Sequence, residues 1–397
     1  MQRWLSSKEG ARFSRSSKIV NTGKKYVASA FTADEKNPFI TPPINGGATI
    51  GGKMKAVVKY GKGKGLVEMK EVPEPKIKAD EVLIEVKAVS VCGSDLHIYH
   101  DSHPYWPPVI LGHEFSGIIA EIGKEVKAWK VGDRVVTETR TGSCGICYIC
   151  QSGFPQACEQ KRPFGIGING AYTKYVAGPV LLLHRLPDNI SFETGALIEP
   201  IAVCITSILE RSQLQAGESV AITGPGPIGL ISLAIAKAAG AKIVGVTGRN
   251  ADEGMRFGKA RELGADFMIN VDKEDPVQRV LKLTDGLGVD ILIETSGGGK
   301  AITQAFEMVR RFGRICAIGI SGKEEVSIPY DRGIFKALRY DFCFSSSWTA
   351  WEKAIGLIAK GLLPAETLIT HKLPLEKWEE AFHLLENLQA AKVILIP

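Results

Sequence analysis

A strand, a glycine-rich turn and a helix follow one another between Glu218 and Asn250. The run Ser219 to Thr223 is short, apolar and rich in β-branched residues. A helical pattern from Ile228 to Ala239 comes after the turn, and a second apolar strand, Lys242 to Thr247, follows it. Strands that alternate with helices in this order predict a parallel sheet covered by helices on both faces.

The turn between the first strand and the helix carries glycines at GxGxxG spacing, Gly224, Gly226 and Gly229. The first glycine permits a tight turn, the second lets the backbone approach a pyrophosphate, and the third lets helix and strand pack closely. Phosphate oxygens then lie at the helix N-terminus, where amides are free to donate. Between a strand and a helix, the motif predicts a dinucleotide site that also includes Pro227 and Ile228.

The end of the second strand distinguishes the two nicotinamide cofactors. An NAD site presents Asp or Glu there, which accepts a hydrogen bond from the ribose 2′-hydroxyl, whereas this chain has Thr247, Gly248 and Arg249. No carboxylate repels a 2′-phosphate at this point, and a guanidinium binds phosphate through charge-assisted hydrogen bonds. We therefore expect NADP as the preferred cofactor. NAD is the alternative if Gly248 and Arg249 form only a solvated turn.

The alternation of helices and strands continues beyond Asn250. We predict helices over 252–263, 276–283 and 301–311 and strands over 266–270, 289–295 and 314–319. Ligands bind at the carboxyl ends of such strands, so Ile318, Gly319 and Ile320 are further candidates for cofactor contact.

The net charge of the chain comes from its first segment. Residues 1–53 contain nine basic and three acidic residues, which accounts for the whole formal net charge of +6. The rest is balanced, so net charge gives no support to a nucleic-acid partner. Residues 1–53 lack the apolar core of a secretory signal, and we expect a disordered or expression-derived extension, or a presequence. Folded structure is expected from Met54.

Short runs rich in Val and Ile, separated by Gly, Pro and Asp, begin at Met54 and predict a small β-barrel ahead of the cofactor unit. A chain of 397 residues with 45% hydrophobic content has room for two or three domains. No stretch approaches 18 consecutive apolar residues, so we expect no membrane span.

Four cysteines lie close together in a Gly-rich stretch with the spacing C-x2-C-x2-C-x7-C: Cys144, Cys147, Cys150 and Cys158. Four thiolates at this spacing can surround one tetrahedral zinc ion with no open position, as in a structural site. An iron-sulfur cluster is an alternative, but the ferredoxin run closes with a shorter spacing and a Pro. Disulfides are a second alternative, and nothing marks the chain as secreted.

A second set of metal ligands is spread along the chain: Cys92, His113, Glu114 and Glu199. Three such ligands plus a water molecule make an open zinc site, in which the metal acts as a Lewis acid toward an alcohol or carbonyl oxygen. Each residue alone could be a buried polar group with a structural role. Their combination with a cofactor site favours catalysis.

The motifs CGSDLH, GHEFSG, the four-cysteine segment, LIEP and GPGPIG occur in this order. The chain from Met54 to Pro397 thus resembles the zinc-dependent medium-chain alcohol dehydrogenases, especially the sorbitol (polyol) and L-threonine dehydrogenase branch. The resemblance implies a GroES-like β-barrel catalytic domain, 54–204 and 345–397, with a zinc lobe at about 140–160. It also implies an inserted Rossmann domain with a doubly wound parallel sheet, 205–344.

By this resemblance, the catalytic zinc is held by Cys92, His113 and either Glu114 or Glu199. Ser94 matches the hydroxyl that receives the substrate proton, and His97 matches the relay that passes it to water. A histidine packed in an apolar segment is the alternative for His97. Lys392 matches a basic residue against the cofactor pyrophosphate, with an ordinary surface lysine as the alternative.

The leading hypothesis is a cytoplasmic oxidoreductase with two zinc ions per chain. It transfers a hydride between NADP and a polyol or another secondary alcohol or ketone, and it assembles as a homotetramer or homodimer. An L-threonine 3-dehydrogenase-like enzyme is the runner-up, although it needs a carboxylate-binding group that the sequence does not locate. A catalytically inactive dinucleotide-binding regulatory protein is the hypothesis from another class.

Overall fold

The computed structural model describes residues 52–397, so the predictions for residues 1–51 lie outside the described residues. The first strand starts one residue earlier than Met54, at Lys53. Gly52 is also engaged, because its carbonyl oxygen accepts a hydrogen bond from the amide of Glu74.

The strands are β1 Lys53–Lys59, β2 Val67–Pro73, β3 Glu81–Ser90, β4 Val109–Ile110, β5 Glu114–Ile122, β6 Arg134–Thr137, β7 Tyr175–Pro179, β8 Leu183–Arg185, β9 Ser219–Thr223, β10 Ile243–Gly248, β11 Phe267–Asn270, β12 Val289–Glu294, β13 Val309–Ala317, β14 Arg339–Phe342, β15 Ile369–Pro374 and β16 Lys392–Ile396. The α-helices are α1 Gly93–Tyr99, α2 Tyr148–Gln151, α3 Phe192–Gly195, α4 Ile198–Ile205, α5 Pro227–Ala238, α6 Met255–Glu262, α7 Pro276–Leu283, α8 Gly299–Met308, α9 Tyr330–Lys336, α10 Trp348–Ala359 and α11 Trp378–Glu386.

Strands β9 to β14 form one parallel sheet in the order β11-β10-β9-β12-β13-β14. The order reverses between β9 and β12, which is the switch point of a doubly wound sheet and the place where such sheets bind ligands. Every residue of β9 is buried, as expected for a central parallel strand covered on both faces. The predicted Rossmann sheet is therefore confirmed.

The other strands form two sheets that carry the first and last parts of the described chain. One has the order β2-β1-β4, and the other has the order β15-β16-β3-β5-β6-β8 with β7 paired to β3. Strand β16 runs antiparallel to β3, so the chain returns to this sheet after completing the parallel one. This arrangement agrees with the expected GroES-like fold, while the domain boundaries stay predictions.

The predicted helix over 301–311 is wrong at its end. Helix α8 stops at Met308, and β13 begins at once because Val309 pairs with Val289. The register then moves to Ile291 opposite Arg314, and the residues between bulge outward, with Phe312 at φ +55°. Helix α9 and strand β14 were not predicted, since their surfaces are mostly exposed and show no apolar periodicity.

A helical run over Phe192–Arg211 is long and apolar enough by composition to cross a membrane. However, 72% of its most apolar window is buried inside the protein, and α4 packs against α5 and α10. The run is therefore a core element of the fold, with Ile201 and Trp351 in the same apolar cluster.

Candidate active site

The four predicted lobe cysteines converge around one point. Their sulfur atoms all lie within 4.8 Å of one another, and three Sγ–Sγ distances are 3.7, 4.0 and 4.0 Å. Zinc–sulfur bonds of about 2.3 Å place neighbouring sulfurs of a tetrahedron about 3.8 Å apart. Disulfides would need about 2.05 Å, so the geometry fits a tetrahedral metal ion and excludes paired cystines in this structure.

Cys92, His113 and Glu114 form the second cluster, again with one ligand atom each within 4.8 Å of the others. Cys92 is the N-cap of α1, whereas Glu114 begins β5 and His113 immediately precedes it. Glu199, in the first turn of α4, is not a member of this cluster. Of the two glutamates that the sequence left open, Glu114 is the one that the fold places with Cys92 and His113.

Asp95 lies beside the His113 ring, and sequence reasoning missed it. Its Oδ1 lies 3.5 Å from His113 Nδ1, and its Oδ2 accepts hydrogen bonds from Tyr172 Oη and the Cys92 amide, each at 2.9 Å. A carboxylate at Nδ1 directs Nε2 toward a metal ion. Burial alone would lower the His113 pKa, but the Asp95 carboxylate raises it well above its usual value. The surrounding negative charge therefore favours a cation at this ring, either a proton or a metal ion, and the two compete because a ligating imidazole must be neutral.

The two predicted proton-transfer residues lie on α1. Ser94 Oγ is 3.3 Å from His113 Nε2, so its hydroxyl lies beside the metal-ligand cluster. His97 is exposed, and its Nδ1 lies 3.2 Å from Ser102 Oγ. The alternative that His97 packs in an apolar core is therefore wrong.

The placement of Lys392 corrects both expectations for this residue. It is buried, not on the surface, and its Nζ donates to Glu114 Oε2 at 2.5 Å and to the Val91 carbonyl oxygen at 3.2 Å. Because its charge is committed to Glu114, Lys392 is not available to the cofactor pyrophosphate. The sequence offers no local signal for this pairing, since 278 positions separate the two residues.

Glu199 is buried close to the same charges, although it lies outside the ligand cluster. Burial raises its pKa to about 7, while the positive charges of His113, Lys392 and Lys161 oppose that rise. Its carboxyl group therefore belongs to the same electrostatic neighbourhood as the metal-ligand cluster.

The glycine turn has the geometry of a phosphate-binding loop. Gly226 is the N-cap of α5 and Pro227 its first residue, with the partly buried Ile228 next. Gly224 adopts φ +90°. A Cβ on Gly229 would lie 1.9 Å from the Gly224 carbonyl oxygen, so only glycine permits this approach of helix and turn. The free backbone amides at the N-terminus of α5 therefore lie at the switch point of the parallel sheet, where a phosphate group can bind.

The end of β10 carries Gly248 and Arg249 as predicted. A Cβ on Gly248 would lie 2.7 Å from the Phe257 ring, so this glycine is required for packing. The Arg249 side chain is 77% exposed, and its Nε lies 3.6 Å from Asp272 Oδ1. The guanidinium is therefore accessible, but a carboxylate lies beside it.

Glu294 organises the loops at the ends of β12 and β13, and sequence reasoning missed it. Its Oε1 accepts hydrogen bonds from Thr223 Oγ1 at 3.1 Å, from the Ser296 amide and hydroxyl at 2.9 and 2.6 Å, and from the Gly297 amide at 3.1 Å. Its side chain also lines a cavity of about 690 Å³. That cavity includes the predicted cofactor residues Ile318, Gly319 and Ile320.

Comparisons with known proteins agree with this architecture. The family described as "Alcohol dehydrogenase GroES-like domain" matches residues 78–188, and the family described as "Zinc-binding dehydrogenase" matches residues 227–360. The sorbitol dehydrogenase of Halalkalibacterium halodurans is 36% identical over 344 residues, covering 87% of this chain and 99% of the relative. The L-threonine 3-dehydrogenase of Bacillus velezensis is 38% identical over 355 residues, covering 88% and 100%.

Comparison with solved structures also indicates a zinc-binding dehydrogenase fold. A structure from Sinorhizobium meliloti 1021, described as a zinc-binding dehydrogenase bound to NADP, superposes with a TM-score of 0.81 at 29% identity, covering 87% of this chain and 100% of that chain. Together with the sheet order and the two ligand clusters, these matches show that the chain belongs to the zinc-type medium-chain alcohol dehydrogenase family of oxidoreductases.

Proposed function

We propose that this enzyme oxidises a polyol or another secondary alcohol, or reduces the matching ketone, at a zinc ion held by Cys92, His113 and Glu114. The convergence of these three ligand atoms carries the proposal. Glu114 Oε1 is buried without a hydrogen-bond partner, whereas Oε2 is paired with Lys392. A thiolate, an imidazole and one free carboxylate oxygen make the donor set of an open zinc site.

A zinc ion in this position would act as a Lewis acid that lowers the pKa of the alcohol. The Ser94 hydroxyl would accept the alcohol proton, and its distance of 3.3 Å from His113 Nε2 supports this role. His97 follows one turn later on the same helix with an exposed ring, and an imidazole in contact with solvent is suited to passing a proton to water.

A second zinc ion is proposed for the four-cysteine lobe. The support is the set of sulfur distances of 3.7 to 4.0 Å, which match the edges of a zinc–thiolate tetrahedron. All four positions are filled by the protein, so this ion would stabilise the lobe without touching substrate. The expected content is then two zinc ions per chain.

NADP is the proposed cofactor, with NAD less favoured. The S. meliloti relative was solved with NADP, and Gly248 offers no carboxylate to the ribose. The pair of Arg249 with Asp272 is exposed and long, at 3.6 Å, and such a pair contributes little free energy. A phosphate dianion is expected to displace it.

We also propose that the chain assembles with copies of itself in the cytoplasm, as a dimer or tetramer. Strand β14 lies at the edge of the parallel sheet, and its Phe342 is 75% exposed. Tyr330, Ile334 and Phe335 of α9 are also exposed. An open strand edge beside an exposed apolar surface favours association.

Oxidation of L-threonine is the second candidate, because one relative at 38% identity carries that activity in its name. Purified enzyme should be assayed with polyols, simple secondary alcohols and L-threonine, each with NADP and with NAD, by the absorbance of the reduced nicotinamide. We expect polyols with NADP to give the highest kcat/KM. Turnover confined to L-threonine would select the second candidate, and no turnover by metal-replete protein would refute the proposed function.

A further inference from the structure

Two cysteines outside both ligand clusters lie side by side where strands β13 and β14 end. Cys316 is the next-to-last residue of β13, and Cys343 directly follows β14. Their sulfur atoms are 3.8 Å apart. The third cysteine outside the clusters, Cys204, contacts the Ser232 hydroxyl at 3.9 Å. Cys316 and Cys343 therefore form a neighbouring pair of thiols and not two isolated core residues.

The two thiols differ in their access to solvent. Cys316 is fully buried, whereas Cys343 is partly exposed. Cys343 also lines the cavity of about 690 Å³ at the ends of the strands. Ile320 and Phe342 line the same cavity and are exposed, so a small solute can enter it and reach the Cys343 sulfur.

The contact between the two thiols also makes them chemically different. The hydrogen bond from the Cys316 thiol lowers the Cys343 pKa to about 7. The same contact, together with burial, raises the Cys316 pKa well above its usual value. Peroxides react with the thiolate form of an accessible cysteine, and a neighbouring thiol then resolves the product. Position and charge therefore make Cys343 the attacking residue and Cys316 the resolving one.

A bond between the two sulfurs would move the chain beside the predicted cofactor residues. Disulfide sulfurs are about 2.05 Å apart, so the present gap has to close. Strand β13 is paired on both sides, whereas Cys343 begins a loop in which Ser345 has φ +61°. The movement is therefore expected at Cys343. Its amide donates to the Ala317 carbonyl oxygen at 3.0 Å, directly before Ile318, so this support would change.

We propose that Cys316 and Cys343 form a redox-sensitive pair, which a hydroperoxide oxidises to a disulfide and which weakens cofactor binding when it is oxidised. With hydrogen peroxide, the Cys343 thiolate attacks one oxygen. The O–O bond breaks, Cys343 becomes a sulfenic acid, and the other oxygen leaves as hydroxide, which takes up a proton to form water.

The second step forms the disulfide. The Cys316 sulfur attacks the Cys343 sulfur, the S–O bond breaks, and the proton of Cys316 leaves with the hydroxide as water. The two thiols lose two electrons in total, and the peroxide gains them. A thiol reductant reverses the change by exchange, as expected for a pair that acts as a sensor in a reducing compartment.

The test begins with reduced, zinc-loaded protein. It is treated with hydrogen peroxide, the excess is removed with catalase, and the free thiols are blocked before digestion and mass spectrometry. We expect a peptide pair joined through Cys316 and Cys343 that dithiothreitol separates. NADPH and NADH are then titrated into the reduced and oxidised proteins. Oxidation should raise each Kd by about ten-fold, comparable to the loss of one hydrogen bond, and dithiothreitol should restore it.

Three variants separate this pair from the other cysteines. Cys343→Ser should keep after peroxide the cofactor affinity that it has before. Cys316→Ala cannot form the disulfide, so the sulfenic acid at Cys343 should persist and be labelled by dimedone. Cys204→Ala is the matched control, because it removes a buried cysteine outside the pair, and it should respond to peroxide as the wild type does.

Each contrary result overturns the inference. Absence of the joined peptides after peroxide treatment would do so, and so would a disulfide that leaves both affinities unchanged. An equal loss of affinity in Cys343→Ser would assign the effect to the zinc-ligand cysteines instead. These readouts do not use alcohol turnover, so a protein that fails the proposed function but binds cofactor still gives a decision. A reduced protein that binds neither cofactor would overturn both.

Discussion

The ammonium group of Lys392 donates to Glu114 Oε2 at 2.5 Å, and both side chains are buried. Glu114 begins β5 and Lys392 begins β16, with β3 lying between these strands in the sheet. The pair thus crosses the central strand and leaves Glu114 with one oxygen for a metal ion.

Lys392→Met should therefore destabilise the metal-depleted protein more than the zinc-loaded protein. Removing one member of a buried ion pair costs about 3 kcal/mol or more in the free energy of unfolding, and a bound cation would offset part of this. Denaturant unfolding with and without a chelator measures both values. Lys372→Met, which removes an exposed lysine paired with Glu193, is the control. Equal losses in the two metal states would contradict the proposed ligation by Glu114.

Substitution of a cysteine ligand in each of the two proposed zinc sites should lower the zinc content, and the two variants should differ in stability and turnover. Cys147→Ser and Cys92→Ser are each expected to lower zinc from two ions per chain to one. Cys147→Ser should lower the Tm, because the lobe loses a closed site, whereas Cys92→Ser should abolish turnover with little change in Tm. Elemental analysis and thermal unfolding check this. Wild-type protein with one zinc ion or none would refute it.

Cofactor preference should depend on Arg249. Arg249→Ala is expected to weaken NADP binding by about ten-fold to a hundred-fold and to change NAD binding little, because only NADP has the 2′-phosphate. Titration with NADPH and with NADH, followed by the fluorescence of the reduced nicotinamide, gives the two affinities. A higher kcat/KM with NAD than with NADP in the unmodified enzyme would show this interpretation of β10 to be wrong.

The Gly248→Asp change would be a poor test of the same idea. Its Cβ would meet the Phe257 ring at 2.7 Å and Pro225 at 2.9 Å, and overpacking commonly costs 1 to 3 kcal/mol. We expect that variant to lose stability as well as NADP affinity, so its Tm must be measured beside its cofactor preference.

Glu294 should affect cofactor binding by positioning a loop. Glu294→Ala removes the acceptor for the amides of Ser296 and Gly297, and leaving the buried Gly297 donor unsatisfied costs about 1 to 3 kcal/mol. We expect weaker binding of both NADP and NAD, with a KM for the alcohol that changes less. Glu294→Gln keeps one carbonyl acceptor and should recover part of the loss. Wild-type cofactor affinity in Glu294→Ala would contradict this role.

Removal of residues 1–51 should leave kcat/KM and Tm unchanged. The expectation comes from the basic, turn-rich composition of this segment against the charge-balanced remainder. The truncated chain keeps Gly52 and Lys53, because both take part in backbone pairing with the β2 region. Loss of cofactor binding or of assembly in the truncated protein would show that the segment belongs to the fold.

The features that the sequence predicts well are local. The glycine turn joins β9 to α5, and the lobe cysteines lie within a stretch of 15 residues. In both cases the spacing of residues along the chain is enough to predict how they come together in the structure. The pairing of Lys392 with Glu114 is different, because it depends on which strands become neighbours. Asp95 could be suspected from the CGSDLH segment as a helix-capping residue, but its contact with His113 requires the fold.

Strand β14 illustrates the other limit of sequence reasoning. Its residues, RYDF, have no continuous apolar run and stay partly or fully exposed, since an edge strand has one neighbour only. Glu294 lies near the end of the strand predicted over 289–295, where no local pattern indicates a further role. Its role appears only when the Thr223 hydroxyl and the Gly297 amide are brought to the same carboxylate by parallel pairing of β9 and β12.

The crossing of β3 by the Lys392–Glu114 pair also sets an order of events during synthesis. Glu114 leaves the ribosome 278 residues before Lys392, a delay of about 15 to 55 s at 5 to 20 residues per second. During this interval the Glu114 carboxylate has no lysine to neutralise it, and β3 lacks its β16 neighbour. The nascent chain thus contains Cys92, His113 and Glu114 before the strand that completes the sheet around them, and stable loading of the catalytic metal ion is expected to follow translation of β16.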